Sequence, residues 1–115
     1  MNSEQGVKEN MKDKYCLIIT TYADEENGKK IIDALLSERL AACIQMMPIQ
    51  SFYHWQGKIA DDQEKLLLIK SKASLYSEIE ATILRHHAYE TPEIIQIPIA
   101  AGFVGYLHWL EKECK

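Results

Sequence analysis

The sequence predicts an α+β sandwich, and three observations predict it. Short apolar, strand-forming runs alternate with helical stripes in the order β-α-β-β-α-β, with one more helix at the end. The two middle strands join through Gln56-Gly57 into one long ribbon. Pro48 and Pro98 fall in the second and fourth strands. Proline cannot donate to a ladder, so those strands belong at the sheet edges. The apolar runs of the first and third strands then belong at its centre.

Each element has a local reason. Residues 1–14 are polar, without periodicity, and are read as a flexible N-terminal tail ahead of a single domain over 15–115. Cys16, Leu17, Ile18 and Ile19 form a continuous apolar run within a strand over 15–21, as expected of burial on both faces. Asp24 is placed to cap the following helix, with Glu25 and Glu26 at its positive end. That helix is expected to reach Arg39 and to bury Ile31, Ile32, Leu35 and Leu36. Gly28 lies on the same stripe, where it would allow close approach to the sheet. The small residues of Leu40-Ala41-Ala42-Cys43 suit a crowded junction.

The ribbon comes next. Its arms span about 44–55 and 58–70, near 40 Å at about 3.3 Å per residue. A compact domain of this size has a radius of gyration of about 13 Å. The ribbon should therefore overhang its own body and carry Phe52, Tyr53, Trp55 and Ile59 out with it. Such a tip calls for cover by another subunit. Asp61, Asp62 and Glu64 in its second arm read as a bulge or a solvated edge in preference to a hard-cation site.

Ser71 or Ser74 is expected to cap a second helix ending near His87, with Leu75, Ile79 and Ile83 inward, His86 prolonging that face and Leu84 outward. The last strand is read over 94–99. A third helix over 103–114 should bury Phe103, Leu107 and Leu110, with Trp109 flanking. The whole is the ferredoxin-like βαββαβ sandwich, sheet order 4-1-3-2, with an extended β2–β3 hairpin and an extra C-terminal helix. Helices on one face leave the other to water, yet the central strands are apolar on both sides. This again points to oligomerisation.

Composition narrows the function classes. The chain has 115 residues, 47% hydrophobic, with a net charge of −4. Lys and Arg do not cluster, so a nucleic-acid surface is not expected. No apolar run would span a membrane, and the N-terminus lacks a signal peptide's apolar core, so the expected compartment is the cytoplasm. Three cysteines, Cys16, Cys43 and Cys114, are expected to be free thiols. The first two read as packing groups, and Cys114 as the accessible one. Met46 and Met47 face opposite sides of a strand and make no copper-binding box. Without a phosphate-cradling Gly-rich loop, a nucleophile elbow or HExxH, a catalytic role is not expected.

Several segments taken together carry a resemblance: Thr20-Thr21, Leu40-Ala41-Ala42-Cys43, Tyr53-His54-Trp55-Gln56-Gly57-Lys58-Ile59, Lys70, His87-Ala88-Tyr89-Glu90-Thr91-Pro92-Glu93 and Tyr106-Leu107-His108-Trp109. In this order and spacing they resemble the CutA family of divalent-cation tolerance proteins. The resemblance implies a homotrimer, tolerance of copper and other divalent metals, weak metal binding without an organic cofactor, and a metal site on His86 and His87. Some members have cysteine where this chain has Thr20, so a soft thiolate ligand is missing here. Ala88 stands where many have proline. The resemblance also suggests that Thr20, Tyr53, Trp55, Lys70, Tyr89, Glu93 and Trp109 gather near an intersubunit cleft. Such a cleft could hold a small metabolite in a PII-like signalling trimer that engages a partner protein.

Plainer readings stand beside these. His86 continues an apolar stripe, as a hydrogen-bonded, partly buried histidine would. His87 would cap the helix end or project into the cleft. Trp55 and Trp109 read as interface anchors. Lys70, following an apolar run, needs a partner, and Glu93 is the expected one.

Overall fold

A computed structural model describes residues 14–115. The tail expected over 1–14 lies outside the described residues, apart from Lys14. The elements are β1 (Tyr15–Tyr22), α1 (Glu25–Ser37), β2 (Cys43–Trp55), β3 (Lys58–Lys72), a 3-10 turn (Ala73–Leu75), α2 (Tyr76–His86), β4 (Ile94–Pro98) and α3 (Val104–Glu113). The sheet order is β2-β3-β1-β4, antiparallel throughout. Pro48 and Pro98 lie on edge strands, as the missing N–H requires.

Asp24 caps α1, its Oδ1 accepting from the N–H groups of Glu26 at 2.8 Å and Asn27 at 3.3 Å. The helix stops at Ser37, short of the expected Arg39, because Arg39 swings to φ 57°. Leu40 N–H then returns to Leu35 C=O at 2.9 Å, and Arg39 N–H to Leu36 C=O at 3.1 Å. This is a Schellman ending built without glycine. Gly28 makes room for a ring, not for the sheet backbone: a Cβ there would stand 2.1 Å from the Tyr22 ring.

Strand register sorts the side chains into two faces. Cys16, Ile18 and Thr20 of β1 share a face with Leu67, Ile69 and Ser71 of β3, and all six are buried. Ile31 and Leu35 of α1 and Ile79 and Ile83 of α2 complete that core. The opposite face carries Leu17, Ile19, Leu66 and Leu68, only half-buried, beside Met47, Ile95 and Ile97, each more than 40% exposed. One sheet face is thus apolar and open in a single chain.

The hairpin turns on Gln56 (φ 51°) and Gly57 (φ 78°), both left-handed, as in a type I′ turn. Its register runs unbroken from Cys43↔Lys70 to Trp55↔Lys58, so Asp61 and Asp62 mark no bulge. The ribbon overhangs as expected: the principal extents are 54 × 30 × 22 Å and the radius of gyration is 15.9 Å. Phe52, Trp55 and Ile59 are more than half exposed at its tip.

Further local expectations fail. Leu36, expected inward on α1, is 42% exposed. Neither Ser71 nor Ser74 caps α2; the chain enters through the 3-10 turn, and Ser71 ends in β3 with its hydroxyl donating to Leu40 C=O. Phe103 is 81% exposed, since it precedes α3 as its N-cap; Leu107 and Leu110 are buried. Cys43 is half-buried, not core. Cys114 is buried, because Arg39 holds the chain end down: its Nη2 donates to Lys112 C=O at 2.8 Å and its carbonyl accepts from Lys115 N–H at 2.9 Å.

Candidate functional site

Where the ribbon leaves the body, the open face carries a hydrogen-bonded cluster. Tyr53 faces Ala60 across the ladder, which sets Asp62 on its diagonal, and the Tyr53 hydroxyl donates to Asp62 Oδ2. One row inward, Glu64 Oε2 accepts from the Tyr89 hydroxyl at 2.6 Å. The bond to Asp62 raises the Tyr53 phenol pKa, helped by burial and by the charges of Asp62 and Glu64. Burial raises that of Tyr89, with the Glu64 bond next. Both tyrosines therefore stay neutral donors, and both carboxylates have committed acceptors.

His87 sits against this cluster as the C-cap of α2. Its Nδ1 accepts from Tyr89 N–H at 3.0 Å, so Nε2 carries the proton and donates to Thr21 C=O at 2.6 Å. Both ring nitrogens are in use. The ring lies 4.6 Å from that of Tyr89. His86 is half-buried, and its carbonyl accepts from Asn27 Nδ2 at 2.8 Å, tying α2 to α1. Among the described residues no group of three or more His, Cys, Asp or Glu side chains is placed to hold a metal ion.

A single chain does not bring the seven expected cleft residues together. Thr20 is wholly buried on the helix-covered face, opposite to the cluster, and its Oγ1 has no hydrogen-bond partner among the described residues. The parity of β1 decides this: Thr21, not Thr20, shares the open face. Lys70 lies six residues along β3 from Glu64, roughly 20 Å away. Its Nζ stands 5.5 Å from the centroid of the Tyr106 ring, which in turn is 5.5 Å from Trp109. The expected Lys70–Glu93 pair is absent among the described ion pairs: β4 pairs Ile94 with Thr20, while Lys70 pairs with Leu17 at the other end of β1. Trp55 sits farther out on the tip. Asp62 and Glu64 are functional candidates although by sequence they read as a bulge or a solvated edge. The signal was the Gln56-Gly57 turn, which fixes the register and so their diagonal and cross-strand neighbours.

A cleft of about 550 Å³ opens on the helix side of the ribbon root, lined by Ala23, Glu25, Pro48, Gln50, Gln63 and Lys65 among others. The ion pair between Lys65 and Glu25 spans its wall. None of the seven expected residues lines it.

A family model described as CutA1 divalent ion tolerance protein matches residues 16–113. The divalent-cation tolerance protein CutA of Thermus thermophilus is 39% identical over 97 residues, 84% of this chain and 94% of the relative. The rice protein CutA 1, chloroplastic, is 37% identical over 100 residues, 86% of this chain and 56% of the relative; the chain thus spans little more than half the length of that protein. Among solved structures, CutA1 from Oryza sativa superposes with a TM-score of 0.85 at 35% identity, covering 91% of this chain and 97% of that one. CutA1 from Pyrococcus horikoshii gives 0.82 at 35%, covering 87% and 98%.

Proposed function

Because the chain belongs to the CutA1 divalent ion tolerance family, we propose that it works in metal tolerance as a homotrimer that takes up copper or another divalent ion weakly at His86 and His87. The observation that carries the metal reading is the position of His87. It ends α2 on the rim of the open sheet face, beside Tyr89 and Glu64. To bind a cation, its ring must release either Tyr89 N–H from Nδ1 or Thr21 C=O from Nε2. Each such bond is worth about 1 kcal/mol, so capture competes with a satisfied resting state and is weak and reversible. Imidazole with nearby carboxylate suits copper(II) or zinc and not copper(I).

What supports the trimer is the open apolar face together with the exposed aromatic tip. In that assembly the Tyr53–Tyr89 cluster of one chain and the Lys70–Trp109 group of another would wall a common cleft. No catalytic step is assigned.

Titration calorimetry with copper(II) on the wild type and on a His86→Ala, His87→Ala double variant tests the reading. Binding heat should appear in the wild type and vanish in the variant. Equal heats in both would remove these histidines from the function.

A further inference from the structure

Two thiols from distant parts of the chain border one buried serine. Cys16 lies directly across from Ser71 on the β1–β3 ladder, so both side chains enter the helix-covered face. Ser71 Oγ is 3.7 Å from Cys114 Sγ. Cys16 and Cys114 are 0% and 6% exposed and belong to the same core cluster. Ser71 is thus the shared neighbour, across the ladder from Cys16 and in contact with Cys114. Cys43 is separate: it faces Lys70 on the opposite side of the sheet.

We propose that Cys16 and Cys114 are a dithiol that closes into an intrachain disulfide when a small-molecule disulfide is present, fixing the end of α3 to β1. Cys114 is the point of entry. It follows the last helix and becomes accessible when the Lys115 N–H bond to Arg39 C=O (2.9 Å) and the Lys115–Glu78 ion pair (2.7 Å) let go. The Cys114 thiolate attacks one sulfur of the reagent RSSR. A Cys114–S–S–R bond forms, and the leaving RS⁻ takes a proton to become RSH. Cys16 then gives up its proton and attacks Cys114 Sγ, releasing a second RSH. Two protein thiols are oxidised, and one RSSR is reduced to two RSH. Burial favours the neutral thiols, so the exchange is slow near neutrality and quickens as pH rises. The link would tether the helix that carries Tyr106 and Trp109 beside Lys70.

The test exposes the native full chain to oxidised glutathione, blocks remaining thiols and maps the peptides by mass spectrometry. The expected product is a single chain lighter by two hydrogens, with the Cys16 and Cys114 peptides joined. The Cys43→Ser variant should give the same link. The Cys114→Ser variant should give none, while keeping its circular dichroism spectrum. Separate blocking of Cys16 and Cys114 after exposure would overturn the proposal. So would a link to Cys43 or between chains, or one that forms only in denaturant.

Discussion

Thr20 and Gly28 show how one atom decides a position. The Thr20 hydroxyl is buried without a partner among the described residues, so a methyl in its place removes a desolvation cost. Thr20→Val should raise stability by about 1 kcal/mol, read as a higher urea midpoint; a lower midpoint would mean that the hydroxyl is bonded. Gly28→Ala gains helix propensity of about 1 kcal/mol but drives a Cβ into the Tyr22 ring, itself only 3% exposed. Overpacking costs about 1–3 kcal/mol, so net destabilisation is expected in the same assay. The buried Cys16 thiol gives a pH dependence. Burial, then Cys114, lifts its pKa from 9.0 to about 11. The raised folded value means that the contribution is whole below pH 9 and lost as pH climbs from there through 11. The loss is roughly 2–3 kcal/mol, to be read as a fall in the denaturation midpoint that is shallower in Cys16→Ala, with Cys114 and the tyrosines of raised pKa supplying the remainder. At this scale the sequence was partly legible. The Asp24 cap is a local interaction and stood in plain view. The reason for Gly28 was not, because Tyr22 reaches it through the fold. Cys114 looked accessible by its place near the end of the chain, and only the Arg39 clamp shows otherwise.

At the scale of elements, the β2–β3 hairpin was legible because its turn is chemically specific. Gln56 nevertheless occupies a left-handed position at φ 51°, where asparagine is better suited. Gln56→Asn should therefore stabilise the hairpin, by a few tenths to about 1 kcal/mol, while Gly57→Ala at φ 78° should cost about 1–2 kcal/mol. The tip is exposed and makes few contacts beyond its own ladder, so hydrogen exchange of amides 53–60 is the measurement: protection should rise in the first variant and fall in the second. The acidic stretch after the turn was harder to read. Asp61, Asp62 and Glu64 resemble a solvated edge by composition. Their partners Gln50, Tyr53 and Tyr89 emerge only once pairing is fixed. The start of α2 was misread for a related reason: Ser71 is a good cap by type, but the strand still needs it where its hydroxyl meets Leu40 C=O.

For the whole molecule, the decisive asymmetry is between the two faces of the sheet. The edge prolines and two-sided apolar runs made the strand order and the greasy second face readable from sequence. Whether the expected cleft residues meet was not readable, since one chain separates Lys70 from Tyr89 and buries Thr20 away from both. On the three-copy reading, equally apolar residues on opposite faces answer to different partners. Leu67 is 0% exposed under the helices, so Leu67→Ala should cost about 2–5 kcal/mol of protomer stability. Ile95 is 47% exposed on the open face, so Ile95→Asp should cost the isolated fold no more than about 0.5 kcal/mol. In an assembly the same carboxylate would be buried unpaired, which is far more costly. Multi-angle light scattering of Ile95→Asp should therefore give the mass of one chain where the wild type gives three, with an unchanged circular dichroism spectrum. Should Ile95→Asp keep the wild-type mass, the open face is not the assembly surface, and the shared cleft loses its physical basis.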